Sequence, residues 1–176
     1  MTSPSLLMVL TGNGKGKTTS AFGQALRVAG HGKRVLIVQF MKGSETYGEL
    51  LAVRKHLGDL ITVEQYGRHQ FVDKADPARV DIDLAREGLK RARQALASGD
   101  FALVVLDELN VALDFKLVEW NEVEEALRSR SSSTDVLVTG RYAPRELVQA
   151  ADLVSEILDI KHHYSQGVQA REGVEF

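Results

Sequence analysis

Leu6-Leu7-Met8-Val9-Leu10-Thr11-Gly12-Asn13-Gly14-Lys15-Gly16-Lys17-Thr18-Thr19 runs from an apolar stretch through a glycine-rich turn into helix-forming residues. Leu6 to Leu10 reads as a first strand. Thr18 to Ala29 reads as a helix, because Ala21, Phe22, Ala25, Leu26 and Ala29 recur at helical spacing before Gly30 and Gly32 stop it. A strand, a glycine turn and a helix in that order make an anion site. Glycine has no Cβ to keep backbone N–H groups from converging on phosphate, the helix start adds free N–H groups and partial positive charge, and Lys17 adds a full charge. The Thr18 hydroxyl is placed to bind Mg²⁺. The general template Gly-x-x-x-x-Gly-Lys-Ser/Thr wants glycine where this chain has Thr11, with glycines at 12, 14 and 16 instead, so the loop is a variant.

Outward from this unit, apolar runs alternate with helical stretches, as in a parallel sheet covered by helices on both faces. Arg34 to Phe40 predicts a strand buried on both faces, Tyr47 to Leu57 a helix, and Ile61 to Glu64 a weaker strand. Gly67 to Ala75 has no periodicity and reads as a loop. Pro77 is expected in the first turn of a long helix reaching Ala97, with Val80, Leu84, Gly88, Leu89, Ala92 and Leu96 turned inward. Leu103 to Leu106 resumes strand, Trp120 to Arg130 is amphipathic helix, and Asp135 to Thr139 is a fifth strand. Pro144 to Ala150 is a short helix, and Leu153 to Ile160 is a last strand. One domain spanning residues 1–176 suits the length.

Composition narrows the function. Lys and Arg number 22 against 24 acidic residues, which argues against nucleic acid as the main ligand. The absence of cysteine excludes disulfides, iron–sulfur clusters, thiolate nucleophiles and Cys-based zinc sites, and fits a reducing, cytoplasmic setting. No apolar run approaches the ~20 residues of a membrane helix, and no export or anchoring signal is visible. The five histidines, His31, His56, His69, His162 and His163, lack metal-site spacing, and His162 and His163 would face opposite ways on a strand.

A nucleotide site needs a second half, an acidic residue ending a neighbouring apolar strand, and Val104-Val105-Leu106-Asp107-Glu108 supplies one. Both pieces fall at carboxyl ends of parallel strands, where open α/β sheets bind ligands. Arg141, in Thr139-Gly140-Arg141, follows another strand and suits bidentate contact with phosphate, and Arg27 on the first helix is a further candidate. These residues point to magnesium and a nucleoside triphosphate without fixing the reaction. A phosphate-loop ATPase or small-molecule kinase would use Glu108 to activate water or a hydroxyl.

Five segments together resemble the ATP:corrinoid adenosyltransferase family. They are Gly12 to Thr19, Val38-Gln39-Phe40-Met41-Lys42-Gly43, Val104 to Asn110, Val138 to Arg141, and the tail Gly167-Val168-Gln169-Ala170-Arg171-Glu172-Gly173-Val174-Glu175-Phe176. The loop preceded by threonine and the closing tail are the specific ones. The resemblance implies a three-layer phosphate-loop (RecA-like) α/β fold with a mostly parallel central sheet of about six strands. It implies transfer of the 5′-deoxyadenosyl group of ATP to the Co(I) of a reduced cobalamin, cobinamide or cobyrinic acid a,c-diamide, with release of triphosphate. Gly12, Asn13, Gly14, Lys15, Gly16, Lys17 and Thr19 would then hold the triphosphate, and Arg141 would sit on the phosphates. Thr18 and Glu108 would hold Mg²⁺, with Asp107 behind them. The nucleotide would lie reversed relative to most phosphate-loop proteins.

The resemblance also implies a homodimer, an electron donor such as a reduced flavoprotein, and aromatic side chains beneath the corrin that displace its lower cobalt ligand. The best-known members place Phe and Trp together before the long helix. Here Phe71 stands with Val72, and Trp120 lies on a later helix, so Phe71 is the candidate corrinoid contact. Only five residues precede Leu6, where several relatives carry a helix over the corrinoid, so a more open site or another covering segment is expected. A third reading is a protein that binds nucleotide and corrinoid without turnover.

Overall fold

The computed structural model describes residues 4–176, so Met1 to Ser3, part of the short leading segment, lie outside the described residues. Six strands form one all-parallel sheet: β1 (Leu7–Thr11), β2 (Val35–Phe40), β3 (Ile61–Tyr66), β4 (Leu103–Asp107), β5 (Asp135–Thr139) and β6 (Leu153–Glu156). Their order across the sheet is β3-β2-β4-β5-β1-β6. Every residue of β2 and β4 is buried, Gln39 and Asp107 included, because helices cover the sheet on both faces. Alternation then divides each strand between two cores. Leu36, Val38, Phe40, Val104 and Leu106 face one side, and Val35, Ile37, Leu103 and Val105 face the other.

The first side is covered by α3 (Arg79–Ser98), α4 (Leu109–Asp114) and α5 (Trp120–Arg128), the second by α1 (Lys17–Ala29) and α2 (Gly48–His56), and α6 (Arg145–Ala150) leads into β6. Ala21, Ala25 and Ala29 give α1 a small face, which brings it close over β4 and β5.

The structure departs from the sequence reading at element ends. Pro77 lies outside α3, whose cap is Ala78. The inner stripe starts at Asp81 rather than Val80, which is 44% exposed, because Arg68 pairs with the Asp81 carboxylate through 2.8 and 2.6 Å hydrogen bonds and draws it inward. Leu84 is only partly buried. The last strand stops at Glu156 instead of Ile160, since an edge strand lasts only as long as its neighbour and β1 ends where Thr11 pairs with Glu156. α4 and a 3₁₀ turn at His163–Gln166 were not anticipated, both being too short to show a period.

Candidate active site

The turn after β1 divides its glycines between two tasks. Gly14 N–H donates to Ile157 O at 2.8 Å, and a Cβ there would stand 2.5 Å from Leu158 O, so this glycine lets the segment after β6 pass against the loop. Gly16 caps α1 with φ of 118° and would meet nothing within 4 Å, leaving the helix start open to an incoming anion. Lys17, the first residue of α1, folds back so that Nζ donates to Gly12 O and Gly14 O, each at 2.8 Å. Burial pulls this ammonium below the ordinary lysine value, against the attraction of Glu108.

The sequence reading puts the acidic half on a strand neighbouring β1, but it lies one strand further away, because β5 comes between β1 and β4. Thr139, at the end of β5, closes the gap. Its Oγ1 donates to Asp107 Oδ1 at 2.7 Å and accepts from Glu108 N–H at 3.1 Å. Asp107 is fully buried and also accepts from Gln39 Nε2 at 3.0 Å, Lys42 Nζ at 2.8 Å and Thr18 Oγ1 at 3.1 Å. Burial alone would push its carboxyl up, but the charge and hydrogen bond of Lys42, with the bonds from Thr139 and Gln39, hold it below the usual carboxylate range. Lys42 is likewise disfavoured by burial, yet Asp107 and Glu108 raise it and keep it charged. Glu108 takes a left-handed backbone at φ of 64°, a geometry costing a non-glycine residue about 1–2 kcal/mol, and its side chain lines the cleft.

Along the carboxyl edge lies a cleft of about 830 Å³, bordered by residues 13–19, Lys42, Glu108 and Arg141. The structure therefore brings Asn13, Gly14, Lys15, Gly16, Lys17, Thr18, Thr19, Glu108 and Arg141 together, with Asp107 beneath and Gly12 supporting Lys17. Asn110 Nδ2 donates to Gly140 O at 2.9 Å and braces the turn carrying Arg141. Arg27 is not brought to the cleft: it lies exposed in the last turn of α1, ten residues or roughly 15 Å along the helix from Lys17.

Three features escaped the sequence reading. Lys42 and Gln39 reach Asp107 across 65 and 68 residues of chain. Their place at the end of a buried parallel strand was the available signal. The tail residues Gly173 to Phe176 border the cleft, where Glu175 lies 3.2 Å from His163 Nε2 and 4.0 Å from Lys15 Nζ. His162 and His163 are not on a strand, and their rings stack at 4.7 Å rather than facing apart.

The loop between β3 and α3 leaves Phe71 fully exposed, neither in the cleft nor packed on the sheet. Val72 packs against the core below, and Lys74 pins the loop to Asp114 at 2.6 Å, with its Nζ also over the Tyr142 ring, next to Arg141.

Hard oxygen donors gather at Thr18, Asp107 and Glu108, with a cationic nitrogen already held by the first two, a donor set that suits Mg²⁺. Among the described residues no group of three His, Cys, Asp or Glu could hold a metal by itself, so further ligands would have to come from phosphate or water.

A family model described as "ATP:corrinoid adenosyltransferase BtuR/CobO/CobP" matches residues 3–176. The corrinoid adenosyltransferase of Pseudomonas aeruginosa is 39% identical, over 97% of this chain and 83% of its own length. That of Escherichia coli is 37% identical, over 97% and 85%. Among solved structures, the RadB recombinase superposes with a TM-score of 0.57 at 18% identity, covering 91% of this chain and 77% of that one. That likeness speaks to the fold alone and is that of a RecA-like phosphate-loop protein.

Proposed function

We propose that this chain, which belongs to the ATP:corrinoid adenosyltransferase family, transfers the 5′-deoxyadenosyl group of ATP to the Co(I) of a reduced corrinoid and releases triphosphate. The observation that carries this reading is the pairing of an open helix start at Gly16 with Lys17, Lys42 and Arg141 around one cleft, in a chain of this family. The Gly12 to Gly16 backbone with Lys15, Lys17 and Thr19 binds the triphosphate, and Arg141 takes a bidentate place on its oxygens. Thr18 and Glu108 hold Mg²⁺, with Asp107 orienting Thr18 from behind. Bound there, the ion neutralises part of the charge on the departing triphosphate.

The residues have no proton to remove. Co(I) carries its own electron pair, which forms the bond to C5′ as the C5′–O bond breaks and its electrons leave with triphosphate. The work left to the protein is in-line positioning and charge stabilisation. Glu108 is therefore a ligand rather than a general base. Phe71, held out in solvent by an anchored loop, is the contact for the corrin face from which the lower cobalt ligand must depart. A corrinoid arriving as Co(II) needs one electron, from a donor such as a reduced flavoprotein. We extend the reading to a cytoplasmic homodimer, supported by the exposed Leu153, Val154, Leu158 and Ile160 on and beyond the edge strand β6.

The test incubates the protein with ATP, Mg²⁺ and chemically reduced cobalamin. A light-sensitive cobalamin together with triphosphate supports adenosyl transfer. ADP would indicate a phosphate-cleaving enzyme, and tight binding without product a carrier.

A further inference from the structure

Lys42 stands where a divalent cation would be expected. Its Nζ lies 2.9 Å from Thr18 Oγ1 and 2.8 Å from Asp107 Oδ2. Thr18 Oγ1 gives its hydrogen to Asp107 Oδ1 at 3.1 Å, so the lone pair that a magnesium ion would take from Thr18 is turned toward the lysine. Lys42 is also the direct ion-pair partner of the fully buried Asp107, whose remaining partners, Gln39, Thr18 and Thr139, are neutral.

We propose that Lys42 reserves the magnesium place in the nucleotide-free protein and cedes it only when a metal–triphosphate enters, its ammonium then moving onto the anion. This rests on the reading of the cleft as a magnesium–triphosphate site. The electrostatics favour the exchange. A bare divalent ion competing with Lys42 gains the Glu108 carboxylate and the Thr18 hydroxyl, with Asp107 behind them, but must leave an ammonium that is only 18% exposed without a partner. A metal bound to triphosphate brings the replacement anion with it. The lysine side chain borders the cleft, so its path lies toward the incoming phosphates and needs no movement of the sheet. Metal and nucleotide are thereby obliged to arrive together, and the buried Asp107 is never left without a cation.

The experiment measures Mn²⁺ binding to the full chain by electron paramagnetic resonance, with and without tripolyphosphate, for wild type, Lys42→Met and Lys42→Arg. Wild type and Lys42→Arg are expected to bind Mn²⁺ at least tenfold more tightly when tripolyphosphate is present. Lys42→Met is expected to bind Mn²⁺ alone at least tenfold more tightly than wild type, and its melting temperature to rise with Mg²⁺ alone. Equal affinities of wild type and Lys42→Met for Mn²⁺ without anion would overturn the proposal. So would wild type taking Mn²⁺ alone as tightly as with tripolyphosphate, a comparison that decides the matter even if Lys42→Met fails to fold. Wild type binding tripolyphosphate with no uptake of Mn²⁺ under any condition would overturn the magnesium–triphosphate reading itself, and the Lys42 proposal with it.

Discussion

Thr139 Oγ1 donates to Asp107 Oδ1 across 2.7 Å and in the same position accepts from the Glu108 amide, so one hydroxyl at the end of β5 fixes both acidic residues at the end of β4. Thr139→Val keeps the shape and removes both bonds inside a fully buried site. The loss is expected to be about 2–3 kcal/mol of stability, read from denaturant unfolding, together with weaker nucleotide binding. A variant as stable as wild type would show that the hydroxyl is replaceable.

Gly14→Ala places a methyl group 2.5 Å from Leu158 O and 2.8 Å from Ile157 O, both backbone atoms that cannot step aside cheaply. The substitution is expected to cost about 1–3 kcal/mol and to weaken ATP binding by displacing the loop. Gly23→Ala, in open space on the middle of α1, is expected instead to stabilise by about 0.5–1 kcal/mol with activity retained. Thermal unfolding of the two variants side by side checks the contrast.

Glu108 yields a prediction in which stability and activity part company. Burial raises its carboxyl, Lys42 pulls it back and Asp107 pushes it up again, so the folded ligand-free chain holds the proton more tightly than the unfolded chain. The corresponding stability is complete below the ordinary carboxylate value near pH ~4 and is lost as pH rises through the raised folded value. Glu108→Gln has no such loss. In EDTA at pH 7 it is expected to melt above wild type, with the advantage gone at pH 4, while adenosyl transfer falls about 10²-fold. A lower melting temperature at pH 7 would contradict the assignment of Glu108 as a strained carboxyl disfavoured by burial.

Phe71→Ala should leave stability within about 0.5 kcal/mol of wild type, since the ring touches solvent only. It should slow the reaction that starts from Co(II) plus reductant more than the one that starts from preformed Co(I). Equal slowing in both would remove Phe71 from displacement of the lower cobalt ligand.

The strands around the site were legible because their signal is local. Val35 to Val38 and Leu103 to Leu106 are buried on both faces and read as unbroken apolar runs, and β5 has the bounds its residues announce. The loop from Gly12 to Thr19 was legible because the anion site is built from consecutive residues. What the sequence concealed is order and reach. Nothing near Thr139 indicates that β5 lies between β4 and β1, so its bridge to Asp107 could not be read. Lys42 falls in a segment that carries the family resemblance, but its partner cannot be read until the sheet sets it beside Asp107. The tail at Glu175 has no period to place it against Lys15. Arg27 shows the converse, because helix rise alone carries it away from the loop.

The decisive experiment supplies ATP labelled with ¹³C at C5′ together with Mg²⁺ and Co(I) cobalamin, and follows carbon and phosphorus by NMR. The label is expected on a carbon bonded to cobalt, with one equivalent of intact tripolyphosphate formed per equivalent of light-sensitive product. A label that stays in ADP or AMP while phosphate or pyrophosphate accumulates would contradict attack at C5′ and, with it, the reading of the cleft as a cradle for a departing triphosphate.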